Sequence, residues 1–239
     1  MDYTKELREK AKELGADRFG VGDLDILQDY PTVPPDLLKG FTSGISIGIK
    51  LTDPVIDALP DSRRLYANQY RVVNDKLNDI SFQLAKFIEE NRGRAQPVPA
   101  SKVVSEGHWQ SFISHKAVAR AAGMGWIGKS LMLINPDYGP RLRWATILTD
   151  LDLDWGEPIE NKCGDCTECV EACIVDAFED SGFEDYPRNR RSCFDVDSCA
   201  RKLEEFADDP DIGSMVCGIC IKACPWGSTE VKNKTLDPM

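Results

Sequence analysis

Residues 163–173 read CGDCTECVEAC, so that four cysteines stand within eleven residues at the spacing C-x2-C-x2-C-x3-C. A second motif at 217–225, CGICIKACP, repeats the pattern with three cysteines and a following proline. Three thiolates on one tight loop can cap three iron atoms of a single cube, whereas a fourth thiolate three residues later points toward a neighbouring cube. The two motifs therefore predict a pair of metal–sulfur centres and a role in moving single electrons.

This spacing is that of bacterial-type ferredoxins, which hold two [4Fe–4S] clusters. Two such clusters need eight cysteine ligands, and because the chain has nine cysteines one thiol is spare. The motifs assign seven ligands, and we take Cys199 as the eighth and Cys193 as the spare residue. The predicted ligands are Cys163, Cys166, Cys169 and Cys224 for cluster one, and Cys173, Cys199, Cys217 and Cys220 for cluster two.

Zinc is the main alternative for paired C-x2-C motifs. Structural zinc sites close with four ligands from two pairs, and the three successive steps from Cys163 to Cys173 would crowd one tetrahedral ion. One departure from the ferredoxin pattern is that Ile174, rather than proline, follows Cys173. Because that proline shapes the turn and binds no iron, the spacing still favours two iron–sulfur clusters.

Composition and charge predict a soluble, cytoplasmic protein. The chain of 239 residues has no run of eighteen apolar residues, and its start, MDYTKELREK, lacks the apolar segment of a secretory signal. In such a protein nine cysteines favour metal ligation over disulfides. The net charge is −11, of which residues 155–239 contribute −10. This acidity disfavours binding to a phosphate backbone and suits either docking to a basic partner or simple solvation.

The N-terminal half mixes helices and strands without a steady βαβ rhythm, which predicts an α+β fold. Apolar residues in 65–92 recur at three- and four-residue steps and are followed by Gly93, the pattern of a long core helix. Ile45, Ile47 and Ile49 alternate with small residues, as in a half-buried strand. We predict helices at 3–14, 65–92 and 111–122, strands at 17–22, 44–50 and 141–150, a loop at 31–42 and a connector at 94–101.

These elements and motifs divide the chain into three predicted segments. Residues 1–154 form the α+β core, and residues 155–227 form a ferredoxin-like domain that carries both clusters. Residues 228–239 are a polar tail. The electron-transfer chemistry is therefore expected in the second segment.

A glycine-rich stretch, AAGMGWIGKS, lies at 121–130 in the first segment. Its glycines at 123, 125 and 128 would let the backbone approach a flat or bulky ligand closely. The stretch does not match the dinucleotide fingerprint, because it follows a predicted helix rather than a strand. A tight turn around a buried tryptophan fits the same pattern.

Taken in order, AGMGWIGKS, LINPDYGP, TILTDLDL and CGICIKACPWG resemble the cobalamin-dependent iron–sulfur reductases, which include epoxyqueuosine reductase and are related to reductive dehalogenases. The resemblance covers roughly residues 95–227. It implies a nitroreductase-like core that binds a base-off corrinoid, cobalamin, and a ferredoxin domain that delivers electrons to cobalt. By the same resemblance, cofactor contacts are expected from Gly125, Trp126, Ile127, Gly128, Lys129, Ser130, Tyr138, Arg141, Pro225 and Trp226.

Two departures from the family change what the resemblance implies. The family's tRNA-modifying reductase has a further helical-repeat domain, whereas this chain ends soon after its last cysteine, so we expect no tRNA partner. The family's proton-donating aspartate lies in a Val-Asp-x-x-Pro stretch, and the same distance here falls near Trp109, where no aspartate stands. Glu106, His108 and Tyr138 are therefore the candidate proton donors. His115 is expected to be a hydrogen-bonded helix residue.

The leading hypothesis is an oxygen-sensitive enzyme that passes electrons through two [4Fe–4S] clusters to cobalt and on to a small organic substrate. The electrons would come from a donor such as a ferredoxin or a flavodoxin. The alternative is an electron-transfer protein that reduces a partner corrinoid protein or another redox protein and has no substrate chemistry of its own. The acidic cluster domain and the missing aspartate favour this alternative somewhat.

Overall fold

The computed structural model describes residues 2–104, 109–179, 187 and 189–228. None of the described helices is long and apolar enough to cross a membrane. The helices are α1 (Tyr3–Glu13), α2 (Asp53–Asp57), α3 (Arg63–Glu90), α4 (His115–Ala121), α5 (Glu168–Glu171), α6 (Val196–Asp208) and α7 (Ile219–Ala223). The strands are β1 (Arg18–Asp23), β2 (Ser43–Lys50), β3 (Ala95–Val98), β4 (Trp126–Ile127), β5 (Leu133–Ile134) and β6 (Leu142–Thr149).

The chain packs into two compact units, each of which is discontinuous in sequence. The sheet unit consists of Met1–Ile49, Val73–Gly125 and Arg143–Ile159. The cysteine unit consists of Lys50–Val72, Trp126–Leu142 and Glu160–Met239. Two stretches of the N-terminal half therefore pack together with the cysteine motifs, so these units differ from the predicted segments, which follow chain order.

A four-stranded sheet in the order β1-β2-β6-β3 forms the centre of the sheet unit. β1 and β2 are antiparallel, with Arg18 opposite Gly48, and β3 and β6 are also antiparallel. The three predicted strands and the three predicted helices are found, with boundaries that differ by at most four residues. The strand β2 is buried on both faces, at Ile45 and Ile47 and also at Ser46 between them, so the prediction of a half-buried strand was wrong.

Two glycines of β1 allow the strand to pack closely against α4. A Cβ atom at Gly22 would lie 2.8 Å from the Cβ of Ala121, and one at Gly20 would lie 2.9 Å from the carbonyl oxygen of Ala122. Helix α4 begins at an N-cap, Ser114, whose side chain accepts a hydrogen bond from the backbone N–H of Ala117. The glycines therefore set how closely α4, and the glycine-rich turn after it, approaches the sheet.

The sequence predicts a connector at 94–101, and this prediction was wrong for residues 95–98, which form the strand β3. Pro97 lies opposite Ile147 in β6 and lacks the N–H that a central strand would use. β3 is the last strand of the sheet order, and an edge strand tolerates proline because one side of its backbone needs no ladder partner. The prolines that favoured a connector are therefore compatible with a strand at this edge.

Helix α3 supplies residues to both units, with 63–72 in the cysteine unit and 73–90 in the sheet unit. In its second part Leu77, Ile80 and Leu84 are fully buried. Their spacing of three and four residues places them on one face of the helix, as the sequence predicts. The first part of α3 belongs to the framework that supports the cysteine loops.

Candidate iron–sulfur site

Four of the predicted cysteine ligands line one cavity of about 330 Å³ in the cysteine unit. They come from both motifs, so the cavity joins two parts of the chain that lie more than fifty residues apart. Its cysteine lining consists of Cys163, Cys166, Cys169 and Cys224. This is the set that the ferredoxin spacing predicts for cluster one, and the site residues remain a prediction until metal is measured.

The first cysteine loop is held in place by a chain of hydrogen bonds. The Asn161 side chain accepts from the Cys163 backbone N–H at 2.9 Å and donates to the Ile127 carbonyl oxygen at 3.0 Å. The Cys166 N–H then donates to the Cys163 carbonyl oxygen at 3.1 Å, which closes a tight turn. Gly164 adopts a φ of +50° in this turn, a conformation that glycine accepts without strain. The loop is therefore preshaped and anchored to β4.

The opposite wall of the cavity comes from the glycine-rich stretch. Gly128, Lys129 and Ser130 line it. A Cβ atom at Gly128 would lie 2.7 Å from Ile134 Cγ1 and 3.2 Å from Cys163 Sγ, so only glycine leaves the wall this close to the sulfur. Because these residues were predicted to lie along a corrinoid, their place beside the cysteines adds a role that the sequence did not indicate.

Pro225 and Trp226, which follow Cys224, complete the lining of the cavity. The Trp226 ring meets the Trp126 ring edge to face, with centroids 4.9 Å apart and planes at 82°. A Cβ atom at Gly139 would fall 1.7 Å from the Trp226 carbonyl oxygen, so the backbones of the two segments touch. The CPW sequence is thereby fixed against 126–142, as a rigid cluster site requires.

Burial raises the pKa of the Cys169 thiol above its usual range, and the neighbouring Cys163 and Cys166 thiols raise it further. Two hydrogen bonds to the Cys169 sulfur act in the opposite direction, one from its own backbone and one from the Ser130 hydroxyl. Without metal the Cys169 thiol holds its proton, and binding of a metal cluster must displace it.

Burial likewise raises the pKa of Cys224 to about 12, while the backbone N–H of Trp226 donates a hydrogen bond to its sulfur and opposes the change. Among the thiols that add to the rise, Cys169 contributes most. The hydrogen bond survives ligation, because a metal-bound thiolate keeps lone pairs that accept N–H groups. Both motifs thus offer buried sulfurs with hydrogen-bond donors already in position.

The four cysteines predicted for cluster two also lie together. Burial raises the pKa of Cys199 to about 11, with further contributions from the Cys217 and Cys173 thiols and from Asp195. The pKa of Cys220 is raised by burial and then by the thiols of Cys217, Cys199, Cys169 and Cys173.

Helices α5 and α7, each of which carries a predicted cluster ligand, pack against each other. The Cys169 thiol also raises the pKa of Cys220, so the two sets of predicted ligands lie near each other.

Cys193 lies apart from these thiols. It is buried, with 4% of its surface exposed, and its sulfur contacts the Arg190 carbonyl oxygen at 3.5 Å. Burial raises the pKa of Cys193, and a hydrogen bond with Ser192 lowers it. The charge of Glu179 raises this pKa further, and no cysteine is among its causes. This environment is that of a packing residue, and the assignment of Cys193 as the spare thiol stays a prediction.

The spacing of the thiols bears on the zinc alternative. Within residues 2–104, 109–179, 187 and 189–228, no three His, Cys, Asp or Glu side chains converge closely enough to hold a single metal ion. A zinc ion needs its sulfurs about 2.3 Å from one centre, whereas a [4Fe–4S] cube spreads its four ligands over separate irons. The four cysteines that line the cavity are the predicted ligands of a cube, and iron and zinc analysis distinguishes the two metals.

Two residues predicted to contact the corrinoid have defined partners within the cysteine unit. Arg141 is buried, and its Nη atoms donate to Asp53 Oδ1 at 3.0 Å and to Asp57 Oδ1 at 2.6 Å. The Tyr138 ring lies below the Lys50 ammonium, which is 5.5 Å from the ring centroid. Arg141 thus ties the segment 126–142 to α2 within the cysteine unit, and this structural role is one that the sequence did not predict.

Of the predicted proton donors, Glu106 and His108 lie outside the described residues. His115 lies in the sheet unit, where its Nδ1 is 2.9 Å from Thr146 Oγ1 and its Nε2 is 3.2 Å from the Pro99 carbonyl oxygen. Burial lowers its pKa to about 4. His115 is therefore a neutral, hydrogen-bonded residue of α4, as predicted.

The sequence also missed residues 50–72 as part of the cluster framework. A Cβ atom at Gly218, beside the ligand Cys217, would lie 2.6 Å from Leu59 and 2.8 Å from Tyr66. Arg63 stacks on Phe206, with 4.1 Å between its Cζ and the ring centroid. These contacts involve ordinary apolar and basic residues, and the only local signal is the Asp-Pro start of α2.

Comparison with known proteins identifies relatives over most of the chain. Residues 162–227 match the profile described as a 4Fe-4S double cluster binding domain. Epoxyqueuosine reductase from Cyclobacterium marinum is 30% identical over 269 residues, which cover 97% of this chain and 81% of that protein. The enzyme of the same name from Leadbetterella byssophila is 29% identical over 259 residues, covering 95% and 80%.

Solved structures show the same fold. An epoxyqueuosine reductase with an epoxyqueuosine-modified tRNA stem loop gives a TM-score of 0.63 at 23% identity, covering 95% of this chain and 66% of that one. The catabolic reductive dehalogenase NpRdhA, in complex with 3-bromo-4-hydroxybenzoic acid, gives 0.71 at 18% identity, covering 95% and 32%. The predicted α+β fold with a two-cluster domain is confirmed. The expectation of no tRNA partner stays a prediction beside a relative that was solved with tRNA.

Proposed function

The chain belongs to the epoxyqueuosine reductase family of iron–sulfur oxidoreductases, and from that premise we propose that it is a corrinoid-dependent reductase. Two [4Fe–4S] clusters pass single electrons to a bound corrinoid, which serves the reduction of a substrate. The electrons come from a low-potential donor such as a ferredoxin or a flavodoxin. The solved relatives are longer, since this chain spans about two thirds of the epoxyqueuosine reductase chain and a third of the dehalogenase chain.

One observation carries the iron–sulfur part of this proposal. Four cysteines from two separate motifs line a single cavity, and the remaining four predicted ligands lie beside it. This arrangement supports two adjacent clusters, between which an electron transfers over a short distance. The buried thiols and their hydrogen-bond donors support clusters of low solvent exposure, whose potentials depend on those donors.

Three buried polar atoms in the cysteine unit bear on a further ligand. Trp126 Nε1, Gln69 Oε1 and Arg141 Nε are buried and have no hydrogen-bond partner among the described residues. Buried polar groups without partners are rare in native proteins, and a bound group that offers acceptors and donors can satisfy them. The amide side chains of a corrinoid offer both kinds of group, which supports the proposed cofactor. When bound, a corrinoid supplies the nucleophilic metal chemistry that protein side chains lack.

The remaining tasks belong to this chain's own side chains. Tyr138, with a half-buried ring beside the Lys50 ammonium, is the described candidate for donating a proton to the substrate. Glu106 and His108 are the other two candidates. Gly125, Trp126 and Ile127 are buried and hold the backbone in place for a flat ligand. These assignments rest on resemblance together with position.

A small reducible organic molecule is the proposed substrate class, because the strongly acidic cluster segment disfavours a polyanion. A relative's structure with an epoxyqueuosine-modified tRNA stem loop makes that RNA the first competing substrate to assay. The two classes differ in their salt dependence, since binding to RNA weakens steeply as salt is raised.

Anaerobic purification, cluster reconstitution and titration with cobalamin test the proposal. We expect about eight irons per chain and the EPR signal of base-off Co(II) on adding cobalamin. Turnover is then assayed with small reducible compounds and with the modified tRNA stem loop. Iron without any spectral response to cobalamin contradicts the corrinoid role, and zinc in place of iron contradicts the proposal as a whole.

A second candidate is an electron-transfer protein that reduces a partner's corrinoid. The specific observation in its favour is that no aspartate stands where the family's reductase has its proton donor. If this candidate is right, the chain holds about eight irons and does not bind cobalamin, but it transfers electrons to an isolated corrinoid protein. Stopped-flow mixing of the reduced chain with such a protein separates the two functions.

A further inference from the structure

Ser130 occupies a defined place in the wall of the cavity for cluster one. The turn from Gly128 to Leu131 is closed by a 2.8 Å hydrogen bond from the Leu131 N–H to the Gly128 carbonyl oxygen. Ser130 is 5% exposed and lines the cavity together with Cys169. The Ser130 hydroxyl lies near enough to the Cys169 sulfur to lower the pKa of this thiol through a hydrogen bond. A tight turn thus places a buried hydroxyl beside one predicted ligand.

Such a hydrogen bond affects the redox equilibrium of a bound cluster. Reduction of a [4Fe–4S] cluster adds one electron from an external reductant without a bond change, so the reduced site carries one more negative charge. A donor to a ligating sulfur stabilises the more negative state more strongly, and the reduction potential therefore rises. In the low-dielectric interior this effect is larger than in water.

Cluster two has a different donor. The Cys173 sulfur accepts from the backbone N–H of Ala177 at 3.3 Å. A backbone donor is removed only by proline, which also restricts the backbone, whereas the Ser130 hydroxyl is removed by a simple side-chain substitution. Cluster one therefore has a side-chain hydrogen-bond donor that one substitution can remove while all four cysteines stay in place.

We propose that Ser130 raises the reduction potential of the cluster held by Cys163, Cys166, Cys169 and Cys224, by donating its hydroxyl hydrogen bond to the Cys169 sulfur. This inference rests on the proposed iron–sulfur function and adds a residue that sets the energy of one cluster. Ser130 is a positioning residue in this role, because it acts on the ligand sulfur and not on the substrate. A higher potential at cluster one draws electrons away from cluster two.

The test is an EPR-monitored redox titration of the anaerobically purified, cluster-loaded full chain, with dithionite as the reductant. Ser130→Ala removes the donor, and Ser130→Thr keeps a hydroxyl. Ser130→Val has the volume of the threonine variant but no hydroxyl, so the Thr and Val pair repeats the comparison at equal size. Ser62→Ala is the matched control, because Ser62 is also buried in the cysteine unit but donates to the Val55 carbonyl oxygen.

We expect Ser130→Ala and Ser130→Val to lower the potential of one cluster by a tenfold change in its reduction equilibrium, which is about 59 mV for one electron. The potential of the other cluster is expected to stay unchanged in these two variants. Ser130→Thr and Ser62→Ala are expected to keep the wild-type potentials of both clusters. Equal shifts of both clusters, or unchanged potentials in both hydroxyl-free variants, overturn the role of Ser130. The iron content separates the two proposals, since a chain without iron contradicts the proposed function, whereas about eight irons with unchanged potentials contradict only the Ser130 inference.

Discussion

Alanine substitution of Cys199 is expected to disrupt cluster two. Cys199 lies in the first turn of α6, and its N–H donates to the Asp195 carbonyl oxygen at 3.3 Å. The Asp195 carboxylate caps the helix by accepting from the N–H groups of Asp197 and Ser198 at 3.1 and 3.0 Å. This cap fixes the start of α6, and with it the direction of the Cys199 sulfur toward the other three thiols.

Cys193→Ala is the matched control for this substitution, six residues earlier in the chain. The Cys193 thiol is buried and contacts the Arg190 carbonyl oxygen, and the charge of Glu179 raises its pKa. Removing it leaves a small void that costs roughly 1 kcal/mol of stability, as for other small buried apolar groups. It removes no predicted ligand.

The size of the effect follows from the ligand count. Two complete clusters hold about eight irons per chain, and loss of one cluster leaves about four. If the cluster survives with three irons, the content is about seven and a three-iron EPR signal appears. Cys193→Ala is expected to retain about eight irons together with the EPR signals of both clusters. Iron and sulfide analysis with EPR of anaerobic protein measures these values.

The reverse result refutes the reasoning. If Cys193→Ala loses iron while Cys199→Ala retains the wild-type content, the eighth ligand is Cys193 and the position of Cys199 beside the other thiols has no bearing on metal binding. A loss of all iron in Cys199→Ala would instead show that cluster one does not form without cluster two.

Three further predictions concern stability, each measured as an anaerobic thermal unfolding midpoint. Burial lowers the pKa of His115 in the folded chain to about 4, below its ordinary value of 6.5. The neutral ring therefore stabilises the fold fully above about pH 6.5, and the free energy of unfolding falls by about 2 kcal/mol between pH 7 and 5. His115→Gln should remove this dependence on pH, and an unchanged dependence contradicts the prediction. Gly218→Ala should cost about 1–3 kcal/mol, since its φ is +82° and apolar atoms lie 2.6 and 2.8 Å from the added Cβ, whereas Gly213→Ala, with open space, should cost less. Arg141→Met should cost about 2 kcal/mol of stability at pH 7. Burial raises the pKa of Asp53, but the hydrogen bonds from Lys50 and Arg141 outweigh burial and lower it, so the loss should shrink as the pH falls below about 4. An equal loss at pH 7 and below pH 4 argues against the ion pair.

The parts of the fold that were predictable from the sequence are those whose signal is local. The buried face of α3 follows from apolar residues at steps of three and four, and β2 follows from alternation around Ile45 and Ile47. The cluster ligands follow from spacing, because a short loop determines which sulfurs can reach one cube. In each case neighbouring residues carry enough information to fix the local geometry.

The parts that were missed depend on contacts between distant residues. β3 is a strand because it pairs with β6, although its own sequence contains Pro97 and favours a connector. Ser130 was assigned to a corrinoid contact by resemblance, yet its hydroxyl reaches Cys169, thirty-nine positions later. Neither pairing leaves a trace in residue type or period, since serine and proline are common in turns of every kind.

The cysteine motifs cannot hold cluster one by themselves, even though their spacing identifies it. Gly128 and Ser130 form the wall opposite the first loop, and the Trp226 carbonyl oxygen needs a glycine at 139 to lie as close as it does. On the far side, Gly218 is covered by side chains of residues 59 and 66. The ferredoxin-like pattern therefore specifies the ligands, while residues 50–72 and 126–142 shape and seal the site. This division explains why the cysteine unit, which is defined by packing, begins 113 residues before its first cysteine.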